Sequence, residues 1–240
     1  MQHIALDQLF LLDIETVSFA ENFHLLDDEW KELWSEKIFK SLPPDITAEE
    51  YYPQRAAILA EFAKVVCIST GYLVKADGKW QLRIKSFCSD DETFLLTHFI
   101  QLIKQMHTGN RKWVFTGHNV KEFDVPFLCR RMLVNNLSIP SCMDFQNLKP
   151  WDTPILDTLH LWRFGDYKHY TSLKLLAATL GVPSPKSDID GSKVGKVFWE
   201  EKNLHRISEY CEKDVATVAN IILRFKNLPL LSDEQIIFVR

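Results

Sequence analysis

The chain has 240 residues, 46% of them hydrophobic, and its 28 basic against 32 acidic side chains leave a net charge of −4. That length and apolar content can bury a full core and favour one large domain, while the near balance of charge excludes a broad basic surface, so a polyanion would have to be held in a local groove or through bound metal. The five cysteines, Cys67, Cys88, Cys129, Cys142 and Cys211, form no CxxC pair, which excludes a zinc ribbon and reads as buried free thiols in a reducing compartment rather than a disulfide frame.

In chain order, Leu9–Leu12 is too short an apolar run for a leader and Asp13 interrupts it; no stretch reaches membrane-spanning length, and a cytoplasmic protein is expected. Leu11-Leu12-Asp13-Ile14-Glu15-Thr16 has the composition of a buried strand. Alternate strand residues share a face, so Asp13 and Glu15 point the same way. Two like charges side by side in a dry setting are costly unless something positive lies between them, and a divalent cation is the usual remedy.

Leu26–Lys40 carries Trp30, Leu33, Trp34 and Ile38 at helical spacing, and Tyr51–Ala63 reads as a second helix after Pro43-Pro44. Lys64–Val74 and Lys79–Cys88 read as strands joined by a tight turn at Asp77-Gly78. A helix is expected over Asp91–His107, a strand over Trp113–Thr116, a helix from about Asp124 to Asn135 with Pro126 in its first turn, and a strand over Ile155–Leu161. Helices follow at Ser172–Leu180, closed by Gly181, and at Leu204–Phe225, with a loop-like stretch at Val182–Gly195 between them. A hairpin followed by alternating strands and helices implies an α/β fold with a mixed sheet covered on both faces.

Three acidic elements stand out. Asp13-Ile14-Glu15 alone is also compatible with a solvated strand end. Asn119 through Phe123-Asp124 follows a strand, where open α/β sheets place their sites, although Asp124 could simply cap the next helix. In the last helix, Ile207, Cys211, Val218, Ile221, Ile222 and Phe225 mark the buried side, with Asp214 on it and Tyr210 one turn away. A carboxylate there needs a partner, either a salt bridge to a strand or an ion.

Taken together, Asp13-x-Glu15, Asn119-x-x-x-Phe123-Asp124 and Tyr210-x-x-x-Asp214 resemble the tyrosine branch of the DEDD superfamily of 3′-to-5′ exonucleases. Ala60–Ile68, Trp162–Asp166, Thr171–Leu176 and Pro183–Lys186 extend the likeness to a bacterial, free-standing group related to the proofreading exonuclease domain of family B DNA polymerases. The resemblance spans roughly Phe10–Asn227 and implies a ribonuclease H-like mixed sheet of about five strands, an antiparallel hairpin plus parallel strands, flanked by helices. It implies one exonuclease domain over 1–240, with a helical insertion at about 20–63.

By that resemblance Asp13, Glu15, Asp124 and Asp214 would hold two divalent cations, Mg2+ or Mn2+, and Tyr210 would orient the attacking water. Phosphodiester hydrolysis needs an activated water and a support for the departing 3′ oxygen, and hard ions on oxygen ligands provide both. Thr16, Asn119, Phe123 and Lys174 are the expected nucleic-acid contacts, while Asp188 and Asp190 read as turn formers and His118 and His160 as packing residues. The expected substrate is a single-stranded 3′ end, DNA ahead of RNA, releasing nucleoside 5′-monophosphates. An exoribonuclease and a non-catalytic nucleic-acid-binding or partner-docking module on the same fold are the alternatives. The insertion, with Trp30, Trp34, Phe39, Tyr51 and Tyr52, reads first as simple packing, with cover for the sheet edge, guidance of a strand and docking of a protein partner as the other roles.

Overall fold

The structure, a computed structural model, describes residues 5–108, 112–149, 152–183 and 189–239. Six strands form one sheet: β1 (Leu9–Ser18), β2 (Ala63–Ala76), β3 (Lys79–Cys88), β4 (Val114–Gly117), β5 (Ile155–Asp157) and β6 (Ile236–Phe238), in the order β5-β4-β1-β2-β3-β6. β1, β2 and β3 run antiparallel in succession, whereas β4 lies parallel to β1, β5 parallel to β4 and β6 parallel to β3. Eight α-helices lie among the described residues: α1 (Asp28–Ile38), α2 (Ala48–Arg55), α3 (Glu92–His107), α4 (Asp124–Val134), α5 (Thr158–Arg163), α6 (Leu173–Thr179), α7 (Val194–Trp199) and α8 (Leu204–Phe225).

The alternation in β1 decides what covers each face. Phe10, Leu12 and Ile14 pack with Leu95, Phe99 and Ile103 of α3 and Val125, Leu128 and Met132 of α4. Leu9 and Leu11 face the other way, onto Val215, Val218, Ala219 and Ile222 of α8. Period two in the strand and period 3.6 in the helices thus meet in two separate cores. α8 can lie close to the sheet because β2 has Gly71 under it: a Cβ at that position would stand 2.9 Å from Val215 Cγ1. The β2–β3 turn has Asp77 and Gly78 both at positive φ, 49° and 76°, as a two-residue type I′ hairpin demands.

The segment between β1 and β2 folds around its own aromatic cluster. Trp34 and Tyr52 are fully buried there with Leu26, Ile38 and Phe62, and Trp34 Nε1 donates to Ala48 O at 2.7 Å. A buried ion pair ties α3 to α4: Arg131 donates to both Glu92 oxygens, at 2.9 and 2.6 Å, and to Ala60 O at 2.8 Å. Glu92 also accepts from Val65 N–H on β2 at 2.7 Å. Among the described residues no helix is long and apolar enough to cross a membrane.

Several expectations need correction. The expected strand 155–161 stops at Asp157, whose side chain accepts from Leu159 N–H and starts α5. The second insertion helix begins at Ala48, not Tyr51, because Thr47 and Glu50 form a capping box, and it ends at Arg55. The mixed sheet, expected with about five strands, has six, the last being Ile236–Phe238 beside Leu82–Ile84. The loop-like stretch from Val182 ends in α7, and its residues 184–188 lie outside those described. Cys67 and Cys88, expected as free thiols, are register partners on β2 and β3 and are joined as a disulfide; Cys129, Cys142 and Cys211 are free.

Candidate active site

β1 is ten residues long and β4 only four, so their pairing covers Leu9–Leu11 and then stops. Beyond Leu11 the β4-facing edge of β1 has no strand beside it. Its Ile14 N–H donates instead to Asp124 Oδ1 at 3.1 Å. Asp124 is the first residue of α4, but its carboxylate does not cap that helix: the cap position is Phe123, which makes no side-chain cap bond. The side chain has been turned across to the strand that carries Asp13 and Glu15.

The chain reaches Asp124 through a turn with little freedom. Gly117 is required at its start, since a Cβ there would lie 2.8 Å from Leu12 O, and Asn119 takes φ 63°. The Asp157 carboxylate, at the end of β5, fixes this turn by accepting from Asn119 N–H and Lys121 N–H, both at 3.0 Å, as well as from Leu159 N–H at 2.9 Å. Three amides on one buried carboxylate hold the backbone firmly. The sequence reading did not single out Asp157. Its signal was the same as for Asp13, an acid at the end of an apolar strand run.

From the opposite face α8 supplies the last members. Its apolar seam of Ile207, Cys211, Val215 and Val218 is buried, which places Tyr210 and Asp214 on the flank beside the β1 acids. Cys211 Sγ lies 3.1 Å from Asp13 Oδ2 and 3.4 Å from Asp13 O, and candidate ligand atoms of Asp13, Glu15 and Cys211 all fall within 4.8 Å of one another. Burial first, then Asp13 and Glu15, push the Cys211 thiol up. It therefore stays protonated and donates to Asp13.

The four carboxylates repel one another. Asp13 is raised well above the usual carboxylate range by burial first, then by Asp214, Glu15 and Asp124. Glu15 is raised by burial, Asp214 and Asp124. Burial pushes Asp124 up to about 7, with Asp157 and Asp214 adding to it against the hydrogen bonds from its own and the Ile14 amides. Asp214 rises to about 6 through burial, relieved by a hydrogen bond from the Tyr210 hydroxyl. Tyr210 in turn is raised above its ordinary value by burial, then by Asp214, Glu15 and Asp13, so its hydroxyl keeps its proton.

Among the described residues no lysine or arginine pairs with any of these four acids. A cluster of hard oxygen donors without such a partner, Glu15 and Asp124 buried and Asp13 and Asp214 half-buried, fits divalent cations of the Mg2+ or Mn2+ type. The structure thus brings Asp13, Glu15, Asp124, Tyr210 and Asp214 together, at the place where the parallel part of the sheet opens.

The other expected residues are distributed around it. Asn119 Oδ1 is buried without a hydrogen-bond partner. Thr16 is buried, and its hydroxyl donates to Ala57 O at 2.7 Å. Phe123 packs against the core beside Phe127, ring centroids 5.2 Å apart. Lys174 is exposed on the first turn of α6. Both His118 ring nitrogens are engaged, with Thr158 Oγ1 at 2.9 Å and Thr171 O at 2.8 Å, and His160 faces Glu122 at 2.9 Å. Asp190 caps the turn at 191–193 as a turn former should, whereas Asp188 lies outside the described residues.

The fold is shared with solved structures. The family B DNA polymerase of the hyperthermophilic archaeon Pyrobaculum calidifontis superposes with a TM-score of 0.51 at 16% identity over 90% of this chain, which corresponds to 24% of the polymerase. Among curated protein sequences none matches. Residues 58–234 match the model of a family described as predicted 3′-5′ exonucleases related to the exonuclease domain of PolB, and the chain belongs to that family.

Proposed function

We propose that this protein is a metal-dependent 3′-to-5′ exonuclease acting on single-stranded DNA ends and releasing nucleoside 5′-monophosphates, with residues 1–240 as one domain and α1 and α2 as its helical insertion. One observation carries this reading: four carboxylates from β1, α4 and α8, Glu15 and Asp124 buried and Asp13 and Asp214 half-buried, converge on one cluster with no basic partner among the described residues.

Asp13, Glu15 and Asp214 would hold one divalent ion, and Asp13 would share the second with Asp124. Bound there, such ions supply an acidified water and positive charge for the phosphorane and the departing 3′ oxygen. The chain's own residues do the rest. Tyr210, protonated and donating its one hydroxyl proton to Asp214, accepts with its oxygen a hydrogen bond from the attacking water and so orients it; it is no base, because its proton is held more tightly than in a free phenol. Cys211 fixes the Asp13 carboxylate from behind. Asn119 Oδ1, buried and unsatisfied, is left to accept from the terminal nucleotide, which would exchange a desolvation penalty for a hydrogen bond.

Asp13→Ala tests the proposal. It should abolish Mg2+-dependent release of mononucleotides from an end-labelled strand while the protein unfolds at the same temperature or higher, since a buried like charge has been removed. Full activity in that variant would refute the assignment. Matched DNA and RNA oligonucleotides in the same assay separate the deoxyribonuclease from the exoribonuclease, and metal binding without turnover would instead indicate a binding module.

A further inference from the structure

We infer that Phe164, Tyr167 and Tyr170 form a stacking platform for the bases of a single strand, leading it to the acidic cluster; this rests on the exonuclease reading above. α5 ends at Arg163, and the next two residues take left-handed conformations, Phe164 at φ 46° and Gly165 at φ 91°. A bulky residue seldom adopts that conformation. Here it turns the chain outward and leaves Phe164 91%, Tyr167 69% and Tyr170 63% exposed. Single exposed apolar residues are ordinary, but three large aromatics within seven positions are not.

Both ends of this segment are tied to the turn that delivers Asp124. At one end Arg163 Cζ sits 5.8 Å from the Tyr167 ring and the His160 ring 6.1 Å from it, while both basic side chains contact Glu122. At the other end the Tyr170 ring lies 6.4 Å from His118, the residue before Asn119, and His118 also holds the carbonyl of Thr171. The aromatic segment therefore starts in solvent at Phe164 and finishes at Tyr170 beside His118, on the turn that leads to Asp124. The negative charges of Asp124 and Asp157 act on the Tyr170 phenol after burial itself, in keeping with that placement.

Charge argues for a polynucleotide as the occupant. Between Phe164 and Lys174 stand Lys168 and Lys174 against the single acid Asp166, in a chain whose net charge is −4, while Arg163 is already paired with Glu122. Basic residues interleaved with exposed rings can follow a phosphate backbone while the rings accept any base face. The polymer whose 3′ end must enter the acidic cluster is the one that can lie along this row.

The test compares wild type with F164A/Y167A/Y170A on two substrates: a fluorescent oligo(dT) and the p-nitrophenyl ester of thymidine 5′-monophosphate, which has no strand to guide. Anisotropy with Ca2+ in place of Mg2+ should show at least tenfold weaker binding of the oligonucleotide, given the usual strength of base–aromatic stacking. The ratio of oligonucleotide to ester hydrolysis should fall by a similar factor. Y167F/Y170F keeps the rings and should keep both values. If the triple variant fails to fold, Tyr167→Ala alone should still weaken binding severalfold. Unchanged affinity and ratio would overturn the platform and leave the aromatics to a protein partner; an equal loss on both substrates would overturn it too. A wild-type chain that binds strand through these rings yet hydrolyses neither substrate would sink the exonuclease reading and leave the platform standing.

Discussion

Asp124 begins a helix but does not serve as its cap, and its carboxylate accepts from Ile14 N–H across the sheet. The choice is forced by β4 ending early, which leaves an amide of β1 with no strand to bond. That Asp13 and Glu15 share a face was legible from period two, and that Tyr210 lies one turn from Asp214 from helical spacing; grouping them with Asp124 needed the family resemblance. Asp157 was not, because nothing in Ile155-Leu156-Asp157 announces that three amides of a distant turn converge on it. Its removal gives a sharp expectation. Asp157→Ala should lower kcat on oligonucleotides by about tenfold or more through a misplaced Asn119 and Asp124, and Asp157→Asn should recover little, since an amide offers only one acceptor oxygen to donors on both sides. Equal activity of wild type and Asp157→Ala would show that the turn holds without it. For Tyr210→Phe, loss of one oriented hydroxyl should reduce kcat by about 10²-fold with little change in KM, read by single-turnover digestion.

Among the elements, the hairpin, α3 and α8 follow from their sequence patterns because local periodicity and tertiary burial agree there. β6 and α7 do not. Ile236–Phe238 is three residues long and gains strand character only by lying beside β3, while α7 is six residues buried through Val194, Val197 and Phe198; neither is long enough to show a period. The disulfide pairing depended on a register the sequence could not supply. The packing of α3 against α4 has its own dependence, since Glu92 and Arg131 are each 8% exposed and bond to one another. Arg131→Met should destabilise the protein by about 3–5 kcal/mol, because Glu92 is left charged and buried. Urea unfolding would measure it, and a loss below about 1 kcal/mol would mean that water reaches Glu92.

At the scale of the molecule, the acidic cluster works against folding whenever its carboxylates are charged and no cation lies between them. Asp124 and Asp214 have folded pKa values of about 7 and about 6, above the unfolded carboxylate value of about 3.9. A carboxylate raised on folding contributes stability that is complete below the unfolded pKa and is lost as pH rises through the folded one. Chelator-treated protein should therefore lose thermal stability between about pH 4 and about pH 7. Mg2+ should restore it at the upper end, by about 2–4 °C for each kcal/mol of repulsion relieved. A melting temperature in chelator that is flat across this window would contradict the coupling. Activity should fall in the opposite direction, on acidification through about pH 7 to about pH 6, as protons compete for the same oxygens.

The seat of α8 on Gly71 has a consequence for tolerance to change. Val215, the side chain that fills the space above that glycine, is the immediate neighbour of Asp214 and is β-branched, so it cannot swing aside. One added methyl group at position 71 would lever the helix outward at the very residue that must reach across to Asp13. The glycine behaves as a set-screw for the gap between sheet and helix, and Gly71→Ala should dull turnover well before it melts the protein.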